Sequence, residues 1–160
     1  MMNSNKVTKT ELEAVEETLQ QPDYVVENFE EFDEMPLDDT ILRGIYAMGF
    51  EKPSVIQKIG IKPLLDGRDI IAQSQSGTGK TGTFLIGSMG RIDLESKSKY
   101  PQVLILSPNR ELTIQTYEIY QRLNNHYRSK CALVIGGTSI EDSIKEFEDT
   151  VHCVIGTPGR

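Results

Sequence analysis

Eight consecutive residues, Ser74-Gln75-Ser76-Gly77-Thr78-Gly79-Lys80-Thr81, set two glycines, a lysine and a hydroxyl at the spacing that holds a nucleoside triphosphate. Asp69-Ile70-Ile71-Ala72-Gln73 before them reads as a short buried strand, and Thr83-Phe84-Leu85-Ile86 after them as helix, so the loop falls where a strand turns into a helix N-terminus. Backbone N–H groups there have no intrahelical partner and the helix dipole favours an anion, so a phosphate belongs at that spot. Gly77 and Gly79 allow the positive φ angles and close backbone approach of a cradle built from Ser76 to Gly79. Lys80 can reach the β and γ oxygens, and the Thr81 hydroxyl can complete a magnesium shell. The strict phosphate-loop pattern has glycine where this chain has Ser74. The plain alternative is a glycine-rich connection with an incidental lysine.

Such a loop needs a sheet beneath it, and the hydrophobic pattern supplies one. Val103-Leu104-Ile105-Leu106 is a continuous apolar run, as expected of a strand buried on both faces. Leu133-Val134-Ile135 and Val151 to Ile155 read as further strands. Between them lie a helix with Leu112, Thr116, Ile119, Tyr120 and Leu123 on one face, and a short helix capped by Ser139 and lined by Ile140, Ile144 and Phe147. Upstream, Asp38 or Asp39 caps a helix with Ile41, Leu42, Ile45 and Met48 on its apolar face, stopped by Gly49, and Pro53-Ser54 opens another that ends near Leu65-Asp66-Gly67. Strands alternating with helices predict an α/β fold with a parallel sheet, whose ligands bind at the carboxyl ends of strands. Ser74–Thr81, Ser107–Glu111, Gly136–Gly137 and Gly156–Arg160 each follow a predicted strand and are expected to share one rim.

The 160 residues carry a formal charge of −7, unevenly placed. Residues 1–34 hold ten acids and two bases, whereas 35–160 hold fourteen acids and fifteen bases. Residues 1–28 therefore read as an acidic, largely disordered tail with at most a transient helix over Lys9–Leu19, and 29–160 as a single neutral body that can still carry a basic phosphate-binding face. No apolar run approaches membrane-spanning length and no signal-peptide pattern opens the chain, so a soluble protein of the cytoplasm or nucleus is expected. Cys131 and Cys153 lie in apolar stretches and read as buried thiols rather than a disulfide; no metal-ligand spacing joins them to His126 or His152.

Four further segments can do chemistry. In Gly49-Phe50-Glu51-Lys52-Pro53-Ser54-Val55-Ile56-Gln57, the Gln57 amide can donate and accept together, matching the adenine edge; Ser54-x-x-Gln57 is equally a capping box. Phe32 can stack on a purine or belong to the core. Pro108-Asn109-Arg110-Glu111-Leu112 sets a cation at a helix start, where Arg110 can hold a phosphate or pair with Glu111. Gly136-Gly137 and Thr157-Pro158-Gly159-Arg160 offer backbone amides or are simply turns.

Taken in order, Phe32, Gly49–Gln57, Ser74–Thr81, Pro108–Leu112, Gly136-Gly137 and Thr157–Arg160 resemble the upstream aromatic, Q motif, motif I, motif Ia, GG motif and motif Ib of the first RecA-like lobe of a DEAD-box RNA helicase. Gly44-Ile45-Tyr46-Ala47, Gly49–Ser54 and Ile71–Ser76 look most like the initiation factor 4A group, nearest its exon-junction member, where serine at the Ser74 position is also usual. Asn109 and Thr113 depart from the threonine and alanine usual in motif Ia, which puts the strength of that RNA contact in question.

The resemblance implies an ATP- and magnesium-dependent RNA helicase. Gln57 would read adenine with Phe32 stacked on it, Ser76, Gly77, Thr78, Gly79, Lys80 and Thr81 would serve the phosphates, and Thr81 the magnesium. Pro108, Asn109, Arg110, Glu111, Gly136, Gly137, Thr157, Gly159 and Arg160 would grip the sugar-phosphate backbone of one RNA strand without reading sequence. A second helicase lobe is an implied partner, and translation or exon-junction factors are further ones. No Asp-Glu-Ala-Asp or Ser-Ala-Thr occurs in the 160 residues, so the chain reads as an incomplete N-terminal lobe that does not hydrolyse ATP by itself. Two alternatives stay open: a stand-alone nucleotide- or RNA-binding fragment, and another phosphate-loop class such as a nucleotide kinase, which would not prefer ATP over GTP.

Overall fold

The computed structural model describes residues 27–160. The acidic stretch expected over residues 1–28, with its helix over Lys9–Leu19, lies outside the described residues but for the last two. In chain order the described helices and strands are α1 (Asp39–Ala47), α2 (Val55–Leu65), α3 (Lys80–Met89), β1 (Val103–Leu106), α4 (Arg110–Leu123), β2 (Cys131–Val134), α5 (Ile140–Glu146) and β3 (Cys153–Gly156), preceded by a 3₁₀ turn at Phe32–Glu34. The described residues fall into two compact units, one joining 27–37 to Glu51–Gly87, the other joining Asp38–Phe50 to Ser88–Arg160.

The first unit carries the Ser74–Thr81 loop. Small residues let α2 and α3 approach: a Cβ on Gly60 would come 2.6 Å from Thr83 Cγ2, and one on Gly87 would come 2.6 Å from Leu64 Cβ. Ile56, Ile59, Leu85 and Ile86 are buried along these helices. Glu30 and Glu31 pair with Lys58 and Lys52, and the Lys58 ammonium holds the Glu30 carboxyl below its ordinary range. The strand expected at 69–73 does not form. A strand exists only through its ladder with a neighbour, and no described strand pairs with this segment; Ile71 is 81% exposed.

The second unit carries a three-stranded parallel sheet of order β1-β3-β2. Central β3 is buried along its whole length, the pattern of a parallel strand covered on both faces. Among the described residues β1 has a neighbour on one side only, and Leu104 and Leu106 stay 65% and 56% exposed, so the apolar run at 103–106 is an edge strand rather than one buried on both faces. β2 begins at Cys131, two residues before the expected start. α1 is capped by Asp38, whose side chain accepts the Thr40 N–H at 2.7 Å, and Gly49 beyond its end has φ 82°. α1 packs on α4 so closely that a Cβ on Gly44 would sit 2.0 Å from the Leu123 carbonyl oxygen.

On α4 the buried stripe is Thr113, Thr116, Tyr120 and Leu123, with Leu112 exposed. The Tyr120 hydroxyl meets Ser129 Oγ at 2.5 Å, Ser129 donates to Asn124 Oδ1 at 2.8 Å, and the Asn124 amide returns a bond to the Ser129 carbonyl at 2.7 Å, tying the end of α4 to the start of β2. α5 forms where expected, but Ile140, Ile144 and Phe147 are exposed rather than packed. Cys131 and Cys153 face each other across β2 and β3 as free thiols, Cys153 buried and Cys131 half-buried; their mutual hydrogen bond, together with burial, pushes the Cys131 thiol up. Among the described residues no helix is long and apolar enough to cross a membrane.

Candidate functional site

The Ser74–Thr81 segment is a loop that becomes helix at Lys80, with Gly77 at φ 80° and Gly79 at φ 101°. Both glycines occupy the left-handed region that a side chain disfavours, so the backbone shape requires these residue types. The loop is braced from inside. Thr78 Oγ1 donates to the Gln75 carbonyl at 2.8 Å, which leaves the Ser74 hydroxyl to donate to Thr78 Oγ1 at 2.6 Å. Ser74, the departure from the strict pattern, is thus a cross-loop tie. The Lys80 ammonium folds onto the Ser74 and Gln75 carbonyls at 2.7 and 2.6 Å, inside the loop it would share with phosphate oxygens. Thr81 follows in the first turn of α3 and is half-buried.

Gln57 closes this site from α2. Its Oε1 accepts the Ser54 N–H at 2.8 Å, the glutamine half of a capping box, while its Nε2 points at the Gly79 carbonyl 3.5 Å away. The amide sits where side chains on Gly79 and Gly82 would go, 2.9 and 2.7 Å from the ideal Cβ positions. Capping and loop contact therefore coexist in one buried side chain. Ser54 Oγ is also buried against Gly79 and makes no hydrogen bond. That orphan hydroxyl lies beside the loop, and the serine of a capping box was its only sequence signal. Phe32, the expected purine platform, is wholly buried in the 3₁₀ turn. A ring without exposed surface presents no face to a base in this conformation, so here it is a core residue.

The other predicted residues assemble in the second unit, at the carboxyl ends of the three strands. Ser107 N donates to the Gly156 carbonyl at 3.0 Å and Thr157 N to the Val134 carbonyl at 3.1 Å, so the segments after β1, β2 and β3 form one rim. Asn109 caps α4, its Oδ1 accepting the Leu112 N–H at 2.9 Å. Exposed Arg110 forms no ion pair with Glu111; its Nη1 lies 2.9 Å from where a Cβ on Gly137 would stand, and Gly137 has φ 85°. Arg160 reaches back to the Thr138 carbonyl at 3.1 Å and Ser143 Oγ at 3.3 Å, fastening the segment after β3 to the turn after β2 and to α5. Pro108, Glu111 and Gly159 are exposed on the same rim, with Thr157 half-buried and Gly136 following β2. Spacing gave no hint of the Arg110–Gly137 and Arg160–Thr138 contacts, because each joins residues more than twenty positions apart.

Residues 54–160, well over half of the chain, match the family described as DEAD/DEAH box helicase. The chain belongs to that family. Among its DEAD-box relatives, "Eukaryotic initiation factor 4A" of Cryptosporidium parvum is 47% identical over 138 residues, covering 86% of this chain and 33% of the relative. "ATP-dependent RNA helicase fal1" of Schizosaccharomyces pombe is 49% identical over 129 residues, covering 81% and 32%. A solved DEAD box protein from the hyperthermophile Methanococcus jannaschii superposes with a TM-score of 0.76 at 35% identity over 83% of this chain and 36% of its own. S. cerevisiae dbp5, bound to gle1 and ip6, gives 0.71 at 36% identity over 82% and 33%. The DEAD-box chain described here spans about a third of the length of the curated relatives it matches. Its parallel sheet with flanking helices is the RecA-like fold of these helicases.

Proposed function

We propose that this chain is the nucleotide- and RNA-binding part of an initiation factor 4A-type RNA helicase, acting with a second lobe to couple RNA-stimulated ATP hydrolysis to local duplex opening or RNA clamping. The observation that carries the reading is the Ser74–Thr81 loop, bent at Gly77 and Gly79 and ending in the first turn of α3, in a chain of the DEAD-box family. Its amides and the α3 dipole favour a polyanion, and Lys80 exchanges the Ser74 and Gln75 carbonyls for phosphate oxygens. Thr81 would hold magnesium, which when bound neutralises phosphate charge. Gln57 holds the loop from α2 and, with the orphan Ser54 hydroxyl beside the loop, sets its fit to an adenine nucleotide. On the rim, Pro108, Asn109, Arg110, Glu111, Gly136, Gly137, Thr157, Gly159 and Arg160 would follow one RNA strand through its backbone, which makes binding indifferent to sequence.

The 160 residues contain no Asp-Glu-Ala-Asp run to orient a water, so the chain alone binds nucleotide without turning it over. The test uses the whole protein that contains this chain. RNA-stimulated ATP hydrolysis is expected, with Lys80→Ala reducing it by at least about 10³-fold, the scale of losing one charge-stabilising group in phosphoryl transfer. Hydrolysis unchanged by Lys80→Ala overturns the assignment of the loop. Equal affinity for ATP and GTP overturns the assignment of Gln57.

A further inference from the structure

We infer that the loop from Asp93 to Gln102 is a second contact for single-stranded RNA, separate from the rim. It enters the amino end of β1, whereas the rim follows the carboxyl ends of the strands, and β1 itself runs four residues at about 3.3 Å each between them. The loop is fixed at its base. Asp93 N donates to Gln102 Oε1 at 2.8 Å and Gln102 Nε2 donates to the Asp93 carbonyl at 2.8 Å, closing the two ends on each other. Tyr127 anchors one side through a 2.6 Å bond to the Ile92 carbonyl, and the Gln102 and Val103 N–H groups anchor the other on the His152 carbonyl at 2.8 and 3.1 Å. Within the loop, Tyr100 N donates to Ser98 Oγ at 3.1 Å.

What this base presents is Tyr100, 81% exposed, with exposed Lys97 and Lys99 preceding it in the chain and in no ion pair among the described residues. An outward aromatic face beside unpaired ammonium groups is the chemistry that stacks a base and neutralises its flanking phosphates. The closed base fixes the two ends of the loop, so less backbone ordering is left to do on binding. An acidic peptide would use the two lysines and leave the ring idle, and a membrane surface needs a broader apolar area than one tyrosine. The occupant that engages all three side chains is single-stranded nucleic acid. This contact stands on the loop alone and does not require the rim.

The experiment is equilibrium binding of a fluorescent oligouridine of about 20 nucleotides to the 160-residue chain, followed by anisotropy across salt concentrations. Tyr100→Ala is expected to weaken binding roughly tenfold, while Tyr100→Phe keeps it within about twofold, since stacking needs the ring and not the hydroxyl. The double variant Lys97→Ala, Lys99→Ala is expected to flatten the slope of log affinity against log salt by about 1.4, two single-strand phosphate contacts. Wild-type affinity in Tyr100→Ala overturns the proposal. So does displacement of the RNA by polyglutamate equally from wild type and Tyr100→Ala, which would mark a plain charge patch. Arg110→Ala separates this inference from the rim: a neutral Arg110→Ala with a weakened Tyr100→Ala removes the rim reading and leaves the loop, and the converse removes the loop.

Discussion

The Ser74–Thr81 loop and the strand-end rim are built by different means. The loop is shaped by its own residues: two glycines at positive φ, the Ser74–Thr78 tie, and Lys80 returning to carbonyls five and six positions back. The Gln57 amide braces it from elsewhere in the chain. The rim has almost no local definition. Its segments come together because β1 and β2 both pair with β3; Arg160 then fastens it over a long sequence distance, and Arg110 lies against Gly137. A site made of local chemistry is legible as a motif and breaks at single loop residues. A site made by a sheet breaks wherever the sheet's support breaks, even far from any ligand.

That contrast can be broken most forcibly at Gly44. Adding a methyl there drives a Cβ into the Leu123 carbonyl at 2.0 Å, and backbone cannot rotate away as a side chain could. Gly44→Ala should cost about 3 kcal/mol or more, at the upper end of overpacking penalties, and thermal unfolding should show it. It should weaken rim-dependent RNA binding by the same loss of folded protein. A Gly44→Ala protein melting like the parent would mean that α1 is not held against α4 as described.

Gly79→Ala is the counterpart in the loop. Its φ of 101° and the 2.9 Å approach to Gln57 Nε2 and Ser54 Oγ predict a cost of roughly 1–3 kcal/mol, with nucleotide affinity lost while the sheet persists by circular dichroism. Retained ATP affinity would contradict a cradle at this position. A smaller perturbation is Thr78→Val, which removes the hydroxyl that both accepts from Ser74 and donates to Gln75. About 1 kcal/mol of loop order should go, read as a few-fold weaker nucleotide affinity without change in melting temperature.

The smallest effect is at the α1 cap. The Thr40 hydroxyl and N–H hold the Asp38 carboxyl below its ordinary range. Because the folded pKa is the lower one, this stabilisation is fully present above the unfolded value near 3.9 and drains away as pH falls through the folded value. Asp38→Asn keeps a capping acceptor and should cost only tenths of a kcal/mol at neutral pH while shallowing the acid limb of the stability curve. An unchanged acid limb would remove Asp38 from that limb.

Sequence alone determined the residue spacing of the Ser74–Thr81 loop, a helix cap at Asp38 or Asp39 and the α/β alternation, since each rests on periodicity or on residues a few positions apart. It misjudged what depends on neighbours distant in sequence. The apolar segment at 69–73 has the composition of a strand but no described partner to ladder with, so it stays irregular. Val103–Leu106 reads as doubly buried yet lies at an edge, and Ile140, Ile144 and Phe147 share a helix face that nothing among the described residues covers. Phe32 shows the reverse: an aromatic residue that motif order offers to a ligand is taken by the core. Gln57 is intermediate, because sequence posed cap against ligand contact and the fold joined the cap to the phosphate loop through the amide's two ends. Periodicity reports which surface is apolar. Only tertiary structure decides whether another surface arrives to cover it, because burial and strand pairing belong to pairs of segments and not to either one.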